Sequence, residues 1–99
     1  MYGTVARIRV KPGHLEQLQE MNRRWETERQ VDGFVKSYVY QLDADPNSLM
    51  LVVLFRDKAS YFANAQDPRQ DAWYQEMVQH LQGPPEWHDG AVVYASAGS

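Results

Sequence analysis

Hydrophobic and polar positions alternate with a period of two at the start of the chain. In "YGTVARIRV" (Tyr2 to Val10), Tyr2, Thr4, Ala6, Ile8 and Val10 share one face and Val5, Arg7 and Arg9 the other, which predicts a β-strand. Pro12 and Gly13 break it. From His14 to about Val31 the spacing changes. Leu15, Leu18, Met21 and Trp25 recur at three and four residues, the stripe of an amphipathic helix, with Glu20 placed to pair with Arg24 and Asp32–Gly33 as its stop. "FVKSYVYQL" (Phe34 to Leu42) and "LMLVVLF" (Leu49 to Phe55) read as two further strands. The turn chemistry of "DADPNS" between them predicts an antiparallel hairpin.

After Arg56, Asp57 can cap a helix carrying "YFANA", and Asp67 with Pro68 and Gln70 reads as a fresh cap, first-turn proline and capping partner. The second helix is therefore expected to break and restart there. The restarted segment places Trp73, Met77, His80 and Leu81 on one stripe, and Gly83, Pro84 and Pro85 stop it. "AVVYA" (Ala91 to Ala95) is the expected last strand. The order βαββαβ predicts an α+β, ferredoxin-like fold, two helices on one face of a four-stranded antiparallel sheet. With 99 residues and no low-complexity tract, the chain is expected to form one domain over 1–99, its last few residues a tail.

The third strand is apolar at every position. Helices can cover only the face of Leu49, Leu51, Val53 and Phe55 or that of Met50, Val52 and Leu54. Burying three such side chains is worth roughly 1.5 to 3 kcal/mol each, so the leftover face predicts a homodimer packed sheet to sheet, the alternatives being side chains left exposed or covered by the C-terminal tail. Arg7 and Arg9 share one face of the first strand and must reach a rim, a carboxylate or water, because unpaired buried charge is costly.

The formal charge of −3 is spread along the chain, and no run of like charge supports a nucleic-acid or anionic-membrane partner. The absence of cysteine excludes disulfides, thiolate zinc sites and cysteine nucleophiles and points to the cytoplasm. No stretch has the length of a membrane helix, and the N-terminus lacks the apolar core of a signal peptide. There is no GxGxxG, P-loop, GxSxG or HExxH, so nucleotide, serine-hydrolase and zinc-peptidase chemistry lack a warrant.

His80 stands out among titratable residues, because the helical stripe sets it beside Trp73 and Met77, where an imidazole could exchange protons or simply be packed and hydrogen-bonded to backbone or to Tyr38 or Tyr40. His14 reads as a surface residue and His88 as part of an "EWHD" loop; with Glu86 and Asp89 it has no metal-ligand spacing. Tyr61, Trp25, Trp73 and Tyr38 could line a slot for a flat conjugated ligand, with the Tyr61 hydroxyl or Asn64 amide donating to a ligand oxygen. The alternative for these aromatics is ordinary core packing. Arg56 and Arg69 could hold an anionic group or simply face solvent.

In its element order, its "VKPGHLEQL" and "LFRDKASY" segments and its "DPR" restart, the chain resembles the antibiotic biosynthesis monooxygenase family over nearly its whole length. The resemblance implies a dimeric α/β barrel. Members include cofactor-independent monooxygenases of aromatic polyketides and haem-degrading enzymes. The quinone-forming members use an asparagine and a tryptophan on the third strand and a tyrosine early in the second helix. Those places fall at Leu51, Phe55 and Tyr61, and only the tyrosine is kept. The haem-degrading set, an asparagine, a tryptophan and a histidine, aligns near Ala6, Asn64 and Tyr74, and none matches. The resemblance also implies a pocket between sheet and helices lined by the Leu51, Phe55 and Ala6 faces, which leaves Met50, Val52 and Leu54 for the partner subunit.

The resulting expectation is a cofactor-independent monooxygenase of a small aromatic or quinol-like molecule, with no metal and no flavin. Tyr61 would orient or deprotonate, His80 accept a proton and Asn64 bind a carbonyl, while Trp25, Tyr38, Leu51, Phe55 and Trp73 contact the substrate. The rival expectation is a non-catalytic ligand-binding or stress-associated dimer that keeps the pocket without its reactive groups. A haem-degrading or isomerase activity is the third.

Overall fold

The computed structural model describes residues 1–97, so the end of the expected tail lies outside the described residues. The elements are β1 (Tyr2–Arg9), α1 (Leu15–Glu28), β2 (Phe34–Gln41), β3 (Ser48–Phe55), α2 (Lys58–Ala65), α3 (Pro68–Val78) and β4 (Glu86–Ala91). The strands form one antiparallel sheet in the order β2-β3-β1-β4, the ferredoxin-like arrangement, with the helices on one face.

The helix breaks follow from local chemistry. Asp57 accepts from the Ser60 amide at 2.8 Å while the Ser60 hydroxyl reaches back to the Asp57 amide, a capping box that starts α2. Asp67 then caps α3 through the Arg69 amide at 2.8 Å, with Pro68 in the first turn where its missing N–H costs nothing. Hydrogen bonds from the Arg69 side chain and amide hold the Asp67 carboxyl at about 2, below its ordinary 3.8. A lowered folded-state value means a gain in stability that is present above 3.8 and lost as pH falls from there through about 2. Asp67→Asn, which keeps the cap and removes the charge, is expected to flatten that part of an acid-unfolding curve followed by circular dichroism.

Three sequence expectations shift. The first helix ends at Glu28 rather than near Val31, because Arg29 is already extended (φ −112°, ψ 127°) and its guanidinium is drawn to Gln70 and Asp67. Glu20 pairs with Arg23, whereas Arg24 crosses to Glu76 at 2.6 Å. The last strand is Glu86–Ala91, not Ala91–Ala95, and the "EWHD" segment is therefore strand rather than loop. Its register on β1 (Thr4 opposite Asp89, Ala6 opposite Trp87) is set by backbone pairing, with no apolar pattern to announce it.

Between sheet and helices, the two ends of the layer differ. Toward the C-terminal end of β1, Ile8, Val10, Leu18, Leu49, Met77 and Leu81 close into a dry core. Toward its N-terminal end the helices stand off and leave a cavity. The opposite sheet face carries cross-strand rows Tyr38–Val52–Val5–His88 and Tyr40–Met50–Arg7–Glu86. Arg7 and Arg9 lie on it, exposed, which meets the requirement that their charge reach water. Among the described residues, no helix is long and apolar enough to cross a membrane.

Candidate functional site

The cavity, of about 630 Å³ and open to solvent on one side, is lined by residues from every layer around it. Because β-strand side chains alternate, Leu51, Val53 and Phe55 of β3 point into this side of the sheet together with Thr4 of β1 and Trp87 and Asp89 of β4. From α1 come Trp25 and Glu26, from α2 Tyr61 and Asn64, and from α3 Asp71 and Trp73.

Its aromatic wall is built edge to face: Trp25 against Phe34 (5.0 Å), Phe34 against Phe55 (5.8 Å) and Phe55 against Tyr61 (5.6 Å). Such pairs interlock ring edges with ring faces and fix the rings' orientation. Trp25 is oriented a second time, by its indole N–H donating to Gln70 Oε1 at 2.9 Å, and that same oxygen accepts from Arg29 at 2.7 Å.

The polar part of the site centres on Tyr61, whose hydroxyl donates to Asp89 Oδ1 at 2.8 Å. Burial, followed by this bond and the Asp89 charge, pushes the phenol up to about 12. A phenol so displaced is a persistent hydrogen-bond donor and a poor base at neutral pH. Among the described residues, Asn64 Oδ1 is buried without a hydrogen-bond partner, and so, by strict geometry, is Thr4 Oγ1, although it lies close enough to the Tyr61 hydroxyl to act on it. Each such atom forgoes about 1 to 3 kcal/mol, which a ligand could return on binding if the side chains turn toward it.

Of the residues singled out in the sequence, Tyr61, Asn64, Trp25, Leu51, Phe55 and Trp73 meet around this one cavity. Tyr38 does not. It lies on the opposite sheet face, 53% exposed, with the Lys36 ammonium 5.5 Å from its ring centre. His80 is also elsewhere. Helix α3 ends at Val78, so the helical stripe does not extend to residue 80, and the His80 ring meets His14, with the two Nδ1 atoms 3.1 Å apart. His14 is correspondingly half-buried instead of freely solvated. Arg56 and Arg69 are tied to Asp32, Asp57 and Asp67 outside the cavity.

Sequence reasoning missed Asp89, Trp87 and Thr4. The signal was available for β4 only as a period of two, Trp87 and Asp89 on one side and Glu86 and His88 on the other, hidden by residues that are poor strand formers.

The antibiotic biosynthesis monooxygenase family model matches residues 1–76. The chain belongs to this family. The match contains the cavity residues of α1, β3 and α2 and ends before β4, so Trp87 and Asp89 lie outside it. Among solved structures, the chain is similar to SnoaB, a cofactor-independent oxygenase from Streptomyces nogalater, at 14% identity and a TM-score of 0.80, covering 95% of this chain and 94% of that one. It is similar to a Nitrosomonas europaea protein assigned to the same family, at 19% identity and a TM-score of 0.77, covering 95% and 100%. A conserved Methanosarcina mazei protein aligns at 18% identity and a TM-score of 0.78, covering 90% and 89%. At these identities the likeness is one of fold. No protein of curated function matches.

Proposed function

We propose that this family member is a cofactor-independent monooxygenase of a small hydroxylated aromatic, working as a homodimer. The observation that carries the reading is the Tyr61–Asp89 hydrogen bond on the wall of an aromatic cavity. Asp89 takes the place as proton acceptor that the sequence offered to His80. A substrate hydroxyl donates its proton to Asp89, and the Tyr61 O–H, kept protonated, stabilises the oxyanion that forms. The electron-rich anion then reduces dioxygen directly. A C–O bond forms at the ring carbon that shares the anion's charge, a CH in the hydroxyarene and a CH₂ in its keto tautomer; one oxygen atom stays as a carbonyl and the other leaves as water with that hydrogen and the hydroxyl proton, so that for the keto tautomer R₂CH₂ + O₂ → R₂C=O + H₂O. Asn64 is the amide available to the substrate's carbonyl or hydroxyl.

A screen of anthrones, naphthols and quinols for oxygen uptake, repeated under ¹⁸O₂, tests this reading. One labelled oxygen in the product supports it; no enzyme-dependent uptake by any of them would count against it. A non-catalytic binding protein is the second reading, favoured by the hydrocarbon and phenyl of Leu51 and Phe55 where the resemblance places an amide and an indole.

The homodimer reading is supported by the open sheet face, where Val5 (40%), Tyr38 (53%) and Tyr40 (61%) are exposed around Met50, Val52 and Leu54. Exposed apolar side chains gathered on one sheet face are what an interaction surface commonly offers, which supports the dimer. Light scattering at micromolar concentration is expected to give twice the chain mass of 11.5 kDa, and Val52→Asp, at the centre of the face, is expected to give the monomer. A wild-type monomer would refute the dimer.

A further inference from the structure

The cavity wall is unbalanced in charge. Three carboxylates line it from three different elements, Glu26 of α1, Asp71 of α3 and Asp89 of β4, and among the described residues no lysine, arginine or histidine lines it. None of the three acids takes part in an ion pair among the described residues. Two cations stand at its aromatic margin: the Arg24 guanidinium lies 5.2 Å from the Trp73 ring centre and the Lys58 ammonium 5.9 Å from that of Phe62. Arg24 is held by Glu76 at 2.6 Å, and the partly buried Arg29 by Gln70 and Asp67. What remains for a ligand is a set of acids without an ion-pair partner beside the rings of Trp25, Trp87 and Tyr61, the Trp73 ring being already met by Arg24.

Both components favour the same ligand chemistry. Aromatic faces attract cations through their quadrupole, and the three carboxylates, exposed to solvent at the margin of the cavity, add an attraction that salt screens. An anionic ligand meets the same field with the opposite sign, and among the described residues no cationic side chain lines the cavity to offset it.

We propose that the cavity is specific for aromatic molecules carrying an amine, accepts neutral ones less well and rejects aromatic carboxylates and phosphates. The proposal rests on the reading of this cavity as the ligand site and narrows it: the substrate of the oxygenation above is an amine-bearing hydroxyarene. It leaves that chemistry intact, because handing a hydroxyl proton to Asp89 moves a negative charge within the site without adding one.

The test uses three matched naphthalene ligands, bearing an aminomethyl, a hydroxymethyl or a carboxylate group, titrated into the purified protein by calorimetry. All three tryptophans of the chain line the cavity, so their indole N–H resonances report whether binding occurs there. The ammonium ligand is expected to bind on the order of tenfold more tightly than the alcohol, the carboxylate least, with the preference weakening as salt is raised. In the triple variant Glu26→Gln, Asp71→Asn, Asp89→Asn, checked for native circular dichroism, the three affinities are expected to converge. Because these acids are charged side chains at the cavity wall, single variants provide the same comparison should the triple variant fail to fold.

Equal affinities with shifted indole signals would overturn the charge preference and leave the ligand site standing, as would an ammonium preference unchanged in the variants. If no ligand binds and the indole signals stay fixed, the ligand-site reading fails and this proposal with it. An ammonium preference with no oxygen uptake by amine-bearing phenols would support the proposed selectivity and overturn only the oxygenase chemistry.

Discussion

Phe55→Ala is expected to destabilise the protein by about 3 to 5 kcal/mol, the cost of deleting a buried phenyl ring. The side chain is 1% exposed and stands between Phe34 and Tyr61, edge to face with both. Against a total stability of about 5 to 15 kcal/mol for a domain of this size, that loss leaves little margin. The void would open into the existing cavity, where neighbouring rings cannot collapse without giving up their own edge-to-face contacts. Urea unfolding should therefore show a lower midpoint with an unchanged slope. A cost below about 1 kcal/mol would mean that Phe55 is a wall of the ligand site and carries little of the core.

Asp89→Asn is expected to lower the rate of oxygen consumption on a responsive substrate by about 10² to 10⁴-fold, the usual contribution of a positioned general base. Asparagine keeps the shape and can still accept from Tyr61, so folding is preserved, yet it cannot take up a proton. The loss should fall on kcat more than on KM, because the proton moves in the transition state. His80→Ala, which alters a histidine outside the cavity, is the matched control with an expected rate near wild type. Comparable losses in both variants would remove Asp89 from the mechanism.

Much of the fold could be read in advance because several local rules agreed. Alternation in Tyr2 to Val10 matched the strand, Asp57 and Asp67–Pro68 announced two helix starts, and the doubly apolar Leu49 to Phe55 became a strand with one face on the cavity and one on the open side. The lining of the cavity was legible where it depended on those elements, hence Tyr61, Asn64, Trp25, Trp73, Leu51 and Phe55. It was illegible where tertiary pairing overrode local preference. Glu86–Ala91 is polar and glycine-containing, and "AVVYA" just beyond it has the stronger strand composition. Backbone pairing to β1 nevertheless selects the polar segment, and it carries Asp89 into the cavity. His80 failed for the converse reason: a helical period was extended past a helix that stops two residues earlier.

The position of β4 gives the site a tempo as well as a shape. It is an edge strand with a single hydrogen-bonded neighbour, β1, and all six of its residues are exposed. Such strands sit at the low end of the local opening free energies in a protein, and their amides exchange with solvent well before those of central strands. Trp87 and Asp89 ride on that edge. Whenever β4 frays, the cavity loses part of its aromatic wall and one of its carboxylates together, so the opening of one strand is also the opening of a side door. A ligand held between Trp87, Asp89 and the helices would close that door behind it, and the slowest amide exchange in β4 would belong to the occupied protein.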